Sequence, residues 1–153
     1  MRHYLKKGEL ITQKSDKFYD ITDEIKTFVV ESEIREGHIL IQPLHTTLGV
    51  YLNENEKFLL DDFTNYLSMQ VPREGNYGHD NIEKRLDCPK DEPKNGSSHL
   101  KSAFYSNPSL SLVLSNGELC IGQWQRIFIA EFDGPCPRKH KGKRQYLTSI
   151  IGE

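Results

Sequence analysis

Apolar and polar positions alternate along this chain in blocks whose period changes several times. Residues 8–14 carry the short alternation of a strand, and residues 38–42 and 49–53 are β-branched runs that read the same way. Between them Ile25, Phe28, Val29 and Ser32 recur at helical spacing, with Thr22 placed as the N-cap and Asp23 and Glu24 in the first turn. Glu36-Gly37 closes that unit. Phe58, Leu59, Asp62, Phe63, Tyr66 and Leu67 predict a second amphipathic helix over residues 55–69, with Asp62 turned inward beside Phe58 and Tyr66. From residue 71 to 98 the pattern lapses, and prolines and glycines among polar residues predict a long connection of the kind compact domains keep for function. A short helix is expected over residues 99–103. Strands follow at 109–114, 118–121, 125–132 and 146–151, with Ser115-Asn116-Gly117 as a hairpin turn between the first two. Strands dominate, so the expected fold is a single α+β domain over residues 1–153, a largely antiparallel sheet or sandwich with two or three packed helices.

Composition narrows this picture. With 153 residues and 36% hydrophobic positions the chain can bury a core without disulfides, and no apolar stretch is long enough to span a bilayer. The basic start lacks a following apolar run, which excludes a secretory signal and predicts a cytoplasmic domain. Cys88, Cys120 and Cys136 lack paired spacing; Cys120 is expected to be buried and the other two, each before a proline, to lie in loops. The net charge of -2 hides an asymmetry, since residues 138–144 hold five of the 20 basic residues and no acid. An acidic body of this kind argues against nucleic acid as a partner. The basic run reads as a solvated or anion-binding loop.

Three histidines are placed unlike the others: His45 after a strand, His79 within the long connection, and His99 at its end. Imidazoles are common ligands for divalent ions, but gaps of 34 and 20 residues match no local metal motif. Spacing alone favours separate hydrogen-bonding histidines over a shared ion. Asn53 ends a strand, and Asp62 is helix surface, a carboxylate behind the site or a Mg²⁺ ligand for a phosphorylated substrate. Trp124 and Gln125 after Gly122 could hold a ligand by stacking and amide hydrogen bonds, although a lone Trp is more often core. No phosphate-binding glycine loop or nucleophile elbow is present.

Several spaced motifs change these weights. They are His45-Thr46-Thr47-Leu48-Gly49-Val50 with Asn53-Glu54, Asp62, Val71-Pro72, Tyr77 and His79, and Asn95-Gly96-Ser97-Ser98-His99-Leu100-Lys101. Ser109, Leu112, Leu114, Gly117, Gly122, Trp124, Gln125 and Ile127 continue the pattern into Glu131-Phe132-Asp133-Gly134-Pro135. The chain thereby resembles the YjbQ-type proteins, an uncharacterised family also labelled secondary thiamine-phosphate synthase. It departs at Gln123, where the family has Thr, and at Cys136, where Arg follows Asp-Gly-Pro; Arg138 keeps the second basic position. The resemblance implies a homotrimer with sites near subunit boundaries, and a divalent metal (zinc first, Mg²⁺ with a pyrophosphate substrate) held by His45, His79 and His99. It also implies the joining of a pyrimidine pyrophosphate to a thiazole phosphate. In that reaction Asn53, Asp62 and Gln125 would orient the reactants, and Lys101, Trp124, Arg126 and Arg138 would hold the phosphorylated substrate. The alternative is a non-catalytic trimer that binds a metal or a small ligand. On either reading the three imidazoles are expected to converge in one pocket.

Overall fold

The computed structural model describes residues 1–86, 88–89, 92–137 and 142–153. Its frame is two antiparallel sheets. Strands β1 (Arg2–Leu10), β3 (Gly37–Pro43), β5 (Leu110–Ser115), β6 (Glu118–Leu119) and β8 (Arg144–Gly152) form the larger sheet, in the order β1-β8-β3-β5-β6. Strands β2 (Lys17–Asp20), β4 (Leu48–Glu54) and β7 (Gln125–Glu131) form the smaller one, in the order β2-β7-β4. Helices α1 (Thr22–Ser32), α2 (Lys57–Gln70) and α3 (Gly96–Tyr105) complete the expected α+β class.

Strand β7 explains how the layers stack. Its run from Ile127 to Glu131 is buried on both faces, which is why it reads as continuous rather than alternating. Ile127 and Ile129 join Val50, Ile39, Ile41, Ile150 and the α1 residues Ile25, Phe28 and Val29 in the main core. Ala130 points the other way, toward a second cluster with Leu67 of α2 and Phe132. The small sheet is therefore a middle layer, with the large sheet and α1 on one side and α2 on the other.

Several local expectations are corrected. The first strand is Arg2–Leu10 rather than 8–14, paired along its length with β8 from Arg2↔Gly152 to Leu10↔Arg144. Strand β2, which carries no alternation, pairs Lys17–Asp20 with β7. Thr22 is not the N-cap of α1 but its first residue: Asp20 Oδ1 accepts both the Thr22 amide (2.9 Å) and its hydroxyl (2.6 Å). Thr22 Oγ1 in turn accepts the Ile127 amide at 2.7 Å, which ties the helix start to β7. Helix α2 starts two residues later than expected, at Lys57, where Glu56 accepts the Phe58 and Leu59 amides. It turns Leu59, Leu60, Phe63 and Leu67 inward, leaving Asp62 exposed on the face of Phe58, Tyr66 and Met69. Cys120 is exposed rather than buried as expected, while Cys136, between β7 and β8 as its loop reading implies, is buried with its Sγ donating to the Gly142 carbonyl. The Asn116-Gly117 hairpin is present as expected, with φ of 54° and 78° at its two central residues. Among the described residues no helix is long and apolar enough to cross a membrane.

One core position invites a direct test. Thr148 is fully buried on β8, and its Oγ1 has no hydrogen-bond partner among the described residues. A buried hydroxyl in that state costs free energy that an apolar group of similar shape does not. Thr148→Val should leave stability unchanged or raise it by about 1 kcal/mol in urea unfolding. A clear loss would show that the hydroxyl is satisfied, for example by an internal water.

Candidate functional site

The local chemistry of the long connection brings two of the three singled-out histidines together. His79 sits in a 3₁₀ turn, Gly78–Asp80, and His99 in the N-terminal part of α3. Asp80 Oδ1 accepts the Gly96 amide at 2.8 Å, which clamps that turn to the start of the helix. A side chain at Gly96 would meet Tyr77 Cβ at 2.6 Å, so glycine is what permits the approach. The result is an imidazole pair with ring centroids 4.5 Å apart. His45, in the turn between β3 and β4, lines a cavity of about 240 Å³ together with His99, Thr46, Thr47, Glu92, Asn95, Asp133 and Arg144.

Beneath the cavity lies a buried ionic network. Arg144 donates to Glu131 from Nε (2.6 Å) and Nη2 (3.0 Å), and Glu131 is completely buried. Glu131 also accepts the Thr12 hydroxyl at 2.9 Å and the Asp133 amide at 2.8 Å. Burial works against the Arg144 charge, but the Glu131 carboxylate more than offsets it and holds the guanidinium above its ordinary pKa. Asn95 Nδ2 donates to Asp133 Oδ2 at 3.0 Å, while Asn95 Oδ1 is buried without a partner among the described residues. Burial, and then the neighbouring His79, hold His99 below its ordinary pKa; Asp133 and Glu92 oppose this in part. His99 is therefore a neutral imidazole at pH 7, able to give or take a proton.

This arrangement does not suit a three-imidazole metal centre. Each ring would have to turn a lone pair toward the ion at ~2.0–2.1 Å. His45 Nε2 instead accepts the Gln145 backbone N–H at 3.1 Å. An amide can only donate, so the neutral His45 ring carries its own proton on Nδ1. His79 Nε2 faces Arg85 Nη1 at 3.4 Å, a cationic neighbour where a cation would have to sit. Among the described residues no group of three His, Cys, Asp or Glu side chains is placed to hold an ion.

The other singled-out residues lie elsewhere. Gln125 Oε1 accepts the Gly122 amide at 2.7 Å, and Gln125 and Arg126 border a separate groove of about 440 Å³ against α1. Arg126 is paired with Asp20 (2.7 Å) and Asp23 (3.2 Å). Trp124 is 67% exposed. Asn53 accepts the Glu54 amide and borders an aromatic groove with Phe18, Tyr51, Phe63, Tyr66 and Tyr105. Lys101 is buried, with its ammonium 2.8 Å from Asp16 Oδ2. Arg138 lies outside the described residues. Within one chain, then, the residues expected to act together occupy several places. Asn95, Asp133 and Thr47, to which the sequence pattern assigns no site role, line the cavity together with Arg144, the last residue of the basic run, over the buried Glu131.

Comparison with known proteins gives this architecture its relatives. The sequence pattern described as "UPF0047 protein YjbQ-like" matches residues 6–153. The chain belongs to that family. A UPF0047 protein of Archaeoglobus fulgidus is 35% identical over 130 residues, covering 85% of this chain and 92% of the relative. One from Methanocaldococcus jannaschii is 32% identical over 148 residues, covering 96% and 94%. Among solved structures, a YbjQ-like protein of unknown function from Sulfolobus solfataricus superposes with a TM-score of 0.84 at 26% identity, covering 99% of both chains. Another UPF0047 family structure, from Clostridium acetobutylicum, gives 0.76 at 29% identity and covers 97% of this chain and 99% of that one. The YjbQ-like fold thus spans the chain, and the function must be argued from the site.

Proposed function

We propose that this YjbQ-like protein is an enzyme acting on a small phosphorylated molecule, whose anionic end enters the cavity between His45 and His99. The observation that carries the reading is that the His99 imidazole shares a cavity with the buried Arg144 guanidinium. A fixed cation in a dry site stabilises negative charge without reorganising. An imidazole beside that cation can supply a proton or an N–H hydrogen bond. A volume of about 240 Å³ falls below that of a typical whole-ligand pocket, which fits one phosphorylated end group.

The specific reaction to test is thiamine-phosphate synthase-type condensation. There the thiazole nitrogen forms a bond to the pyrimidine's methylene carbon as the carbon–oxygen bond to pyrophosphate breaks. Arg144 would take up charge on the departing pyrophosphate, and the His99 N–H would donate to it. No step is assigned to a metal ion. The test is a steady-state assay of purified protein with both substrates, alongside His99→Ala. Product above that of the variant is expected, and equal rates would sink this activity.

The alternative is a non-catalytic ligand-binding homotrimer. It is favoured by apolar side chains left in solvent on α2 (Phe58 71%, Met69 71%) and α3 (Phe104 76%), a surface that suits contact between copies. Thermal shifts separate the readings. Stabilisation by phosphorylated ligands without turnover supports binding alone. Because His45 would have to release Gln145 to ligate, zinc alone should raise the melting temperature less than those ligands do.

A further inference from the structure

We infer that the cavity selects an anion that still carries a proton, a phosphate monoester in its monoanionic form, over an anion of the same shape and charge without one. The inference rests on the phosphorylated-ligand reading above and specifies it. Its starting point is Asn95, only 4% exposed and lining the cavity. The orientation of its amide is settled by chemistry, because Nδ2 donates to Asp133 Oδ2 at 3.0 Å and a carboxylate cannot donate in return. Oδ1 is thus an acceptor, and it is buried without a partner among the described residues. Native proteins seldom leave such an atom unpaired unless a ligand or water completes it.

The rest of the lining agrees. Arg144 uses Nε and Nη2 on Glu131 and on the Asp133 carbonyl, and Nη1 has no partner among the described residues. Its two N–H groups can serve an anionic oxygen. Thr46 and Thr47 add hydroxyls, and the cavity lies beside the start of α3, where the helix dipole favours negative charge. The same cavity is lined by the carboxyl groups of Asp133 and Glu92. A dianion has no hydrogen to offer the orphan acceptor. A monoanion with one hydroxyl can instead accept from Arg144 and donate to Asn95. A site built to take a hydrogen bond from a ligand hydroxyl rejects an analogue that lacks it, since the acceptor is then left buried and unpaired.

Methyl phosphate and methyl sulfate form a matched pair of probes. The second ionisation of a phosphate monoester lies at about 6, so at pH 5 both carry a single negative charge and only the phosphate has a hydroxyl. His99, His79, His45, Arg85, Arg144, Asp133 and Glu92 act alike on both, so the ratio of affinities isolates the proton. Calorimetric titration of the full chain at pH 5 should show methyl phosphate binding at least about tenfold more tightly than methyl sulfate. The preference should shrink at pH 8, where methyl phosphate is a dianion. Asn95→Leu should bring the ratio at pH 5 toward one, and should that variant fail to fold, the ratio in the unmodified protein still decides. Equal binding of the two probes would overturn the inference while leaving the anion-binding reading intact. Binding of neither would overturn both. A preference that survives in Asn95→Leu would overturn the assignment to Asn95.

Discussion

Replacing Arg144 with methionine should lower the stability of the fold by about 3–5 kcal/mol. The side chain is 7% exposed and its partner Glu131 is completely buried, with two charge-assisted hydrogen bonds between them. Methionine keeps much of the volume but abandons the Glu131 carboxylate in the interior with only the Thr12 hydroxyl and the Asp133 amide. Against a typical total of about 5–15 kcal/mol, that loss is a large fraction of what holds the domain together. Urea unfolding should show a lower midpoint with an unchanged slope. Removing both charges, by Arg144→Met with Glu131→Leu, should recover much of the stability, because no buried charge is then unpaired. The double variant would be folded yet lack the guanidinium of the cavity, so it separates structure from ligand binding. If Arg144→Met alone unfolds at the same urea concentration as the unmodified protein, the network is not holding the sheets as described.

Much of this fold is legible in the sequence, for reasons that can be traced. Strands β3, β4, β5 and β7 stand out because their apolar residues are β-branched or in register with a core face. The hairpin is announced by Asn116-Gly117, whose positive φ angles few other residues tolerate. What escapes is structure stabilised by pairing rather than by burial. Strand β1 lies at a sheet edge with polar residues exposed, and β2 is half-buried throughout, so neither alternates. Helix α3 begins at Gly96, earlier than its apolar residues suggest, because its buried face is Gly96, Ser97, Ser98 and Lys101. In α2 two apolar faces compete, and the one with Phe58 and Tyr66 stays in solvent.

The site divides in the same way. His79 stands out within a long polar connection and His99 at its end, and the clamp from Asp80 to Gly96 puts their rings side by side. The cavity's floor is less legible, since Glu131 and Arg144 are 13 residues apart, and Arg144 belongs to a basic run that reads as a solvated or anion-binding loop rather than as a buried partner. One signal was available: Glu131 ends a strand buried on both faces, where a carboxylate needs a partner. Asn95 immediately precedes the helix and makes no side-chain capping bond. Its amide serves Asp133 instead.

His99→Gln should reduce turnover by about 10²–10⁴-fold if this imidazole transfers the proton. A structural role predicts something different, and pH distinguishes the two. Burial and the adjacent His79 ring hold His99 below its ordinary value of about 6.5. The unfolded chain therefore takes up a proton on this residue at higher pH than the folded chain does. The stability it contributes is complete above about pH 6.5 and is lost as pH falls through the lower folded value. Comparing urea midpoints from pH 7.5 downward, His99→Gln should show a shallower acid decline than the unmodified protein, because glutamine has no proton to gain. In the proposed step the His99 N–H donates to the departing anion, and the protonated ring keeps that donor, so kcat/KM should lose no rate through His99 as pH falls. Were His99 merely structural, His99→Gln would flatten the stability profile and leave turnover little changed. Loss of turnover at pH 7.5, where the variant is as stable as the unmodified protein, assigns the proton to His99.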